Sequence, residues 1–413
     1  MTGMATLNRR RFLSASVGAG AAALAAGAGV TMADLRLHAA RSPAPTGART
    51  LVVVTLYGGN DGLSTVVPYA NPAYHSARPD LAYSPAEVLH LDDELGLNPS
   101  MTGLASLWEQ GQLAIVRGAG YPRPDHSHFR SMDIWQTASP DSPVSTGWVG
   151  RWLDATGDDP VRALNIGSVL PPLAVGERAT AAALPLGWDS GLSPDLAASM
   201  VRMGTPDDHD CPAARMVRAS YRAERTADAT FAAALSTHAE ADDHESPAGT
   251  GGSNAALAAQ LDLVAQCITA GVPTRVYTVS LGGFDTHADE RRAQSAQLKE
   301  LDGAVSGFLA RMAGTPRGAG VTVLAYSEFG RRVLANASQG TDHGTAGPVL
   351  VAGAGVRGGF YGEQPSLTDL DNGDLKVTVD FRSVYSEMLR TVLGTDPAQV
   401  LTSPKPELGL LRT

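Results

Sequence analysis

Four short runs along the chain are apolar and rich in β-branched residues, with no polar alternation: LVVVTLY at 51–57, RVYTVSL at 275–281, VTVLAYS at 321–327 and PVLVAGA at 348–354. Runs of this length and character predict strands covered on both faces, the habit of a parallel sheet. LAIVRG at 113–118 and ALNIG at 163–167 predict two more. Between the strands, residues 101–110, 128–138, 146–156, 213–238, 255–269 and 289–312 read as helices, and 379–394 as a closing amphipathic helix. Asp125 or Ser127 is the expected cap of the second of these, and Ser145 or Thr146 that of the third. No internal repeat interrupts the rhythm. Alternation of this kind predicts an α/β fold, a mostly parallel central sheet with helices on both faces. In such sheets ligands gather at the carboxyl ends of the strands.

The two polar breaks in this pattern set the expected domain limits. Residues 238–254 (HAEADDHESPAGTGGSN) form a Gly/Ser-rich stretch, expected as a flexible loop at the edge of a helical insertion around 213–254. At the N-terminus, NRRRFLSASVGAGAAALAAGAGV (8–30) places Arg9 and Arg10 before a weakly apolar Ala/Gly run. It resembles a twin-arginine export signal, with cleavage expected near Ala39 or Ala40. The run is too glycine-rich to read as a stable membrane span. The expected organisation is therefore a leader at 1–40, a linker at 41–48 and a single domain at 49–413. The twin-arginine translocase is the expected export partner, and the destination is the periplasm, cell envelope or exterior.

Composition narrows the chemistry. Among 413 residues, 43% are hydrophobic and 18% charged, an ordinary globular balance. A formal charge of −10 argues against a nucleic-acid partner. Cys211 and Cys267 are the only cysteines, which excludes a cysteine-based zinc cluster and leaves one disulfide allowed.

Acids and histidines fall just past the predicted strand ends. Asp61 follows the first strand in GGND, Asp285 and His287 follow RVYTVSL in GGFDTHADE, and Glu328 follows VTVLAYS. Asp342 and His343 lie in a glycine-rich loop before PVLVAGA. On one rim of a parallel sheet such groups are tolerable when a cation sits among them. Oxygen and nitrogen donors without thiolate suit Zn, Mn, Mg or Ca. Asp285 and His287, at i and i+2 of an extended segment, point to one side and can share an ion. Each residue also has an ordinary reading: a turn aspartate at 61, a helix cap at 285, an ion pair of Glu328 with Arg331 or Arg332, and surface positions for the rest. In HSHFRSMD (126–133), Ser127 sits at a helix N-terminus, where free amides stabilise an anion, and is the candidate nucleophile or a plain cap. Arg130 is the candidate anion clamp.

Taken in order, GGNDGLSTVVPY, SHFRSMDIWQTA, TGWVGRWLD, GGFDTHADE, SEFGRR and GTDHGTAGPVLVAGAGVRGGFYGE resemble the bacterial domain of unknown function 1501, grouped with the alkaline phosphatase and sulfatase superfamily. The resemblance spans roughly residues 50–395. It implies an alkaline phosphatase-like sheet, metal ligands at strand ends and a nucleophile at a helix N-terminus. Residue by residue it implies that Asp61 is the first-strand carboxylate and Ser127 the nucleophile. Asp285 and His287 would be a ligand pair and His343 the last ligand. Three departures stand out: Glu328-Phe329 replaces an Asp-His pair, Asp285-Thr286-His287 shortens a longer spacing, and no Cys-x-Pro-x-Arg stretch of a formylglycine sulfatase is present. The functional expectation is an exported metal-dependent hydrolase of phosphate or sulfate esters acting on a small anionic substrate. The alternative is a non-catalytic exported binding or assembly protein on the same fold. A serine esterase of the Gly-x-Asn-Asp type, hinted at by GGND, lacks the matching order of motifs.

Overall fold

The computed structural model describes residues 28–30, 32–45, 47–157, 159–186 and 256–412. The predicted helix at 213–238, the loop at 238–254 and Cys211 lie outside them.

The strands of the central sheet are β1 (Ala28–Gly29), β2 (Thr50–Leu56), β3 (Leu113–Gly120), β4 (Ala163–Ile166), β5 (Ala182–Leu184), β6 (Val276–Leu281) and β7 (Val321–Ser327). After a two-stranded hairpin of β8 (Arg331–Ala335) and β9 (Thr341–His343) come β10 (Gly347–Ala352), β11 (Gly359–Tyr361) and β12 (Val379–Asp380). The spatial order is β1-β5-β4-β6-β2-β7-β10-β3-β11, with β12 also on β3. Every pairing is parallel except those of β10, which runs against both β7 and β3. The expectation of a mostly parallel sheet holds, and the reversal of β10 is a departure that its apolar sequence does not announce. β10 follows β7 through the β8–β9 hairpin rather than a crossover helix, so the chain returns antiparallel.

The pleat of β2 divides two cores. Val52, Val54 and Leu56 face one layer, Leu51 and Val53 the other. The first is covered by α6 (Leu257–Thr269) and α7 (Glu290–Ala313), through residues such as Leu261, Leu298 and Phe308. The second is covered by α4 (His128–Thr137), α5 (Trp148–Thr156) and α8 (Arg382–Glu387), where Tyr385 stacks on Trp148 and meets Trp135 edge-on. Between β2 and β3 lie α2 (Gly62–Thr65) and α3 (Thr102–Glu109).

Two local expectations are corrected, and one segment is placed. Gly147, not Ser145 or Thr146, precedes α5, because a Cβ at 147 would overlap the backbone of Pro172 and Leu173. The segment 379–394 is not amphipathic: α8 and the π-helical turn at Met388–Val392 are buried on nearly every side. The end of the expected leader is folded into the body. Helix α1 (Met32–Arg41) buries Leu35 and Ala39 in the first core, and Val30 N–H donates to Ala183 O at 2.8 Å. Cys267 is a free, buried thiol lying 3.5 Å from Met32 Sδ.

Candidate metal centre at the strand ends

The adjacent strands β6, β2 and β7 release their chains at the same rim, and the hairpin β8–β9 and the start of α4 close over it. Two glycines make the approach possible. Gly58 has φ +117° and a Cβ there would lie 2.5 Å from Asp285 N, while a Cβ on Gly340 would lie 2.2 Å from His287 C. These glycines let the β2, β6 and β9 loops touch through their backbones.

At the meeting point, Asp285 Oδ1 lies 3.0 Å from His287 Nε2, 3.2 Å from His343 Nε2 and 3.4 Å from His128 Nε2. His287 Nε2 and His343 Nε2 are 3.0 Å apart. The outer ring nitrogens are already committed. His343 Nδ1 lies 2.8 Å from the carbonyl of His126, which can only accept, so Nδ1 carries the proton. His128 Nδ1 lies 2.8 Å from Glu328 Oε1, leaving Nε2 buried without a hydrogen-bond partner. Burial holds His343 below its ordinary pKa, with Arg331 and His128 adding to the effect, so the neutral ring is favoured. The Nε2 lone pair of His343 therefore faces Asp285 Oδ1, with His287 and His128 Nε2 beside it. A cation among these atoms would be held by all of them at once. Zinc–ligand bonds of about 2.0–2.1 Å in tetrahedral geometry hold neighbouring donors roughly 3.3 Å apart, close to the 3.4 and 3.2 Å from Asp285 Oδ1 to His128 and His343 Nε2. His128, Asp285 and His343 form the cluster fit to hold an ion, and His287 stands beside it.

The surrounding residues fix the rings. Glu328 is buried and accepts from Gly58 N, Ser327 Oγ and His128 Nδ1. Phe329 packs its ring against both His128 and His343 at 4.9 Å. Arg331, fully buried in its side chain, donates to Asp285 Oδ1 at 2.7 Å and to the carbonyls of Gly58, Gly59, Phe284 and Thr341. Burial alone would raise Asp285, but Arg331 overrides it and holds the carboxyl below its ordinary range.

The sequence-derived set divides on this geometry. Asp285, His287 and His343 converge as expected. Asp61 does not join them: both its oxygens are held by Arg78, at 2.5 and 3.0 Å, in a fully buried pair, and it caps α2. Burial works against ionisation of Asp61, yet Arg78 keeps its pKa low. Glu328 orients His128 rather than facing the centre itself. Asp342 is exposed, 3.7 Å from His287 Nδ1. Ser127 caps α4 as expected, with its Oγ 3.5 Å from Arg130 N, and is exposed between His126 and His128. Arg130 pairs with Asp133 of its own helix at 2.5 Å. His128 is the donor the sequence reading passed over. The signal was there in HSH: the helix cap at Ser127 makes His128 the first helical residue, which faces the strand ends.

The likenesses of the whole fold are broad and weak. A protein in the alkaline phosphatase superfamily from Vibrio parahaemolyticus is similar over 90% of this chain and 78% of its own, with 12% identity and a TM-score of 0.40. Alkaline phosphatase from the Antarctic bacterium TAB5 is similar over 75% of this chain and 92% of its own, with 11% identity and a TM-score of 0.34. Murine ectonucleotide pyrophosphatase/phosphodiesterase 5 is similar over 88% of this chain and 97% of its own, with 9% identity and a TM-score of 0.35. No curated protein matches in sequence. The model of a family described as "Protein of unknown function (DUF1501)" matches residues 48–407, and the chain belongs to that family.

Proposed function

We propose that the protein is an exported hydrolase of phosphate or sulfate esters built around one divalent ion. The observation that carries the reading is the convergence of His128, His287 and His343 Nε2 on Asp285 Oδ1 within 3.4 Å. His128, Asp285 and His343 would hold the ion, with His287 able to complete the set. When bound, the ion would polarise an ester oxygen and offset the charge of an anionic substrate. Asp285 is kept ionised and in place by Arg331, and His128 is turned inward by Glu328. Ser127, exposed at the N-terminus of α4 next to His128, is the proposed nucleophile. Its Oγ would form the bond to phosphorus or sulfur while the bond to the leaving alcohol breaks, and water would then release the serine ester. Arg9 and Arg10 before the Ala/Gly run support export by the twin-arginine route. Among the described residues no helix is long and apolar enough to cross a membrane.

The test is metal content by elemental analysis, followed by assay of phosphate and sulfate monoesters and diesters with metal-loaded protein, Ser127→Ala and His128→Ala. The expected result is about one ion per chain, lost in His128→Ala, and turnover abolished by Ser127→Ala. Loaded protein that turns over none of these esters rejects the hydrolase.

A second reading has one specific observation in its favour: Arg331 already satisfies the Asp285 oxygen that the imidazoles approach. A non-catalytic exported binder would keep the ion as a structural brace and bind orthovanadate no better than metal-free protein does.

A further inference from the structure

Beside the metal centre lies a second feature that the ester chemistry does not use. A cavity of about 310 Å³ opens between the 121–126 loop, Arg332 and the 371–377 turn. His126 joins it to the centre: its carbonyl accepts from His343 Nδ1, while its ring turns away to Asp374 Oδ2 at 2.8 Å. Asp374 is almost fully buried and also faces Arg332 Nε at 3.3 Å, so one hidden carboxylate holds both side chains at the cavity wall. Arg123 and Lys376 complete the wall. Their acid partners, Asp141 and Asp369, are exposed and are not part of the lining. Exposed pairs of this kind contribute little and exchange readily for another anion. The lining acids are Asp371 and Asp374, the latter already engaged by His126 and Arg332. On a chain of net charge −10, the cavity gathers three basic side chains, Arg123, Arg332 and Lys376, next to the proposed site for an anionic ester.

We infer that this cavity receives the leaving-alcohol side of the substrate and selects an alcohol that carries a second anionic group, a phosphate, sulfate or carboxylate. The inference rests on the proposed hydrolase reading for what occupies the metal centre, but its binding test does not require turnover. Benzenesulfonate and benzenedisulfonate, which cannot be hydrolysed, are titrated calorimetrically into metal-loaded wild type, Lys376→Glu and Arg332→Gln/Lys376→Gln. The expected result is about tenfold tighter binding of the disulfonate by wild type. Lys376→Glu, an exposed substitution that leaves the core untouched, should abolish most of that advantage without changing monosulfonate affinity or metal content. Equal affinities in wild type, or an advantage that survives both variants, overturn the inference. A disulfonate preference that persists in protein holding no metal and hydrolysing no ester would reject the hydrolase and leave the cavity assignment standing. With the preference established, hydrolysis of esters whose alcohols bear each of the three anions identifies the source.

Discussion

Glu290 offers a quantitative test of how the rim is held together. Its side chain is fully buried at the start of α7, where Oε2 accepts from Thr341 Oγ1 and Oε1 has no donor facing it. Asp61 lies next to it, ionised and clamped by Arg78. Burial, reinforced by the neighbouring Asp61 charge, raises Glu290 from 4.5 to about 9. The carboxylic acid proton, shared toward Asp61, explains the oxygen without a partner. Because the folded pKa lies above the unfolded value, the contribution of Glu290 to stability is fully present below pH about 4.5 and is lost as pH rises toward about 9. At pH about 7.5 the native state must retain a proton that the unfolded chain would release. Three units at about 1.36 kcal/mol each make that cost roughly 4 kcal/mol. Glu290→Gln supplies a neutral group of the same shape, with an amide N–H for Asp61 and a carbonyl for Thr341. Urea unfolding followed by the fluorescence of buried Trp135, Trp148 and Trp152 measures the difference. Relative to wild type, the variant should gain on the order of 4 kcal/mol between pH about 5.5 and 8.5. Parallel stability curves would refute the argument. So would a variant weaker at every pH, since that is the signature of an ionised Glu290 sharing Arg78.

Four further outcomes follow from the same geometry. Asp61→Ala strands the Arg78 charge in the core and should cost about 3–5 kcal/mol by urea denaturation, with metal stoichiometry unchanged in the protein that remains folded. Glu328→Gln should weaken metal affinity about 10–100-fold in a competitive chelator titration, because His128 loses its carboxylate partner while every first-sphere donor remains. Leu35→Ala should cost about 2–5 kcal/mol in exported protein, and N-terminal sequencing of that protein should find Met32–Arg41 retained; a mature chain beginning at Arg41 refutes both. Trp152→Phe removes the indole N–H to Thr395 Oγ1 and the Arg162 guanidinium's partner ring, and thermal denaturation should register a loss of about 1–3 kcal/mol without change in metal content.

The sheet was legible because its strands are buried on both faces. LVVVTLY, RVYTVSL and VTVLAYS have no polar face, and the structure sets them side by side as β2, β6 and β7. Strand direction was not legible, because a run such as PVLVAGA reads alike in either orientation; only the hairpin before it decides that β10 is reversed. Asp285, His287 and His343 could be picked out because each follows a strand or a glycine-rich turn. Asp61 satisfied the same rule and failed it in space, since its partner Arg78 lies in an irregular segment 17 residues on that no periodicity marks. His128 went unseen because attention to the neighbouring serine made it a flank. α1 falls within the expected leader, and its Ala-rich composition with a single well-buried leucine reads alike whether the segment is removed or retained.

The guanidinium of Arg331 bears on how many ions the rim can hold. A buried cation loses several kcal/mol of hydration, and this one recovers it through carbonyls from three separate loops and one carboxylate oxygen. It therefore fastens the β2, β6 and β9 loops at the point where the imidazoles meet. The same position makes it a fixed positive charge in contact with Asp285. At an effective dielectric constant near 20, two unit charges about 4 Å apart interact by about 4 kcal/mol, and a divalent ion doubles that. One ion on the imidazole side of Asp285 can offset the repulsion with direct bonds to His128 and His343. A second on the Arg331 side would meet the guanidinium, and Phe329, the ring packed against His128 and His343, offers no ligand atom to compensate. Elemental analysis should therefore find one divalent ion per chain at saturation. Arg331→Met, which removes the charge and the carbonyl contacts together, should lose stability rather than gain a second ion. Two tightly held ions in wild type would show that the guanidinium does not limit the site.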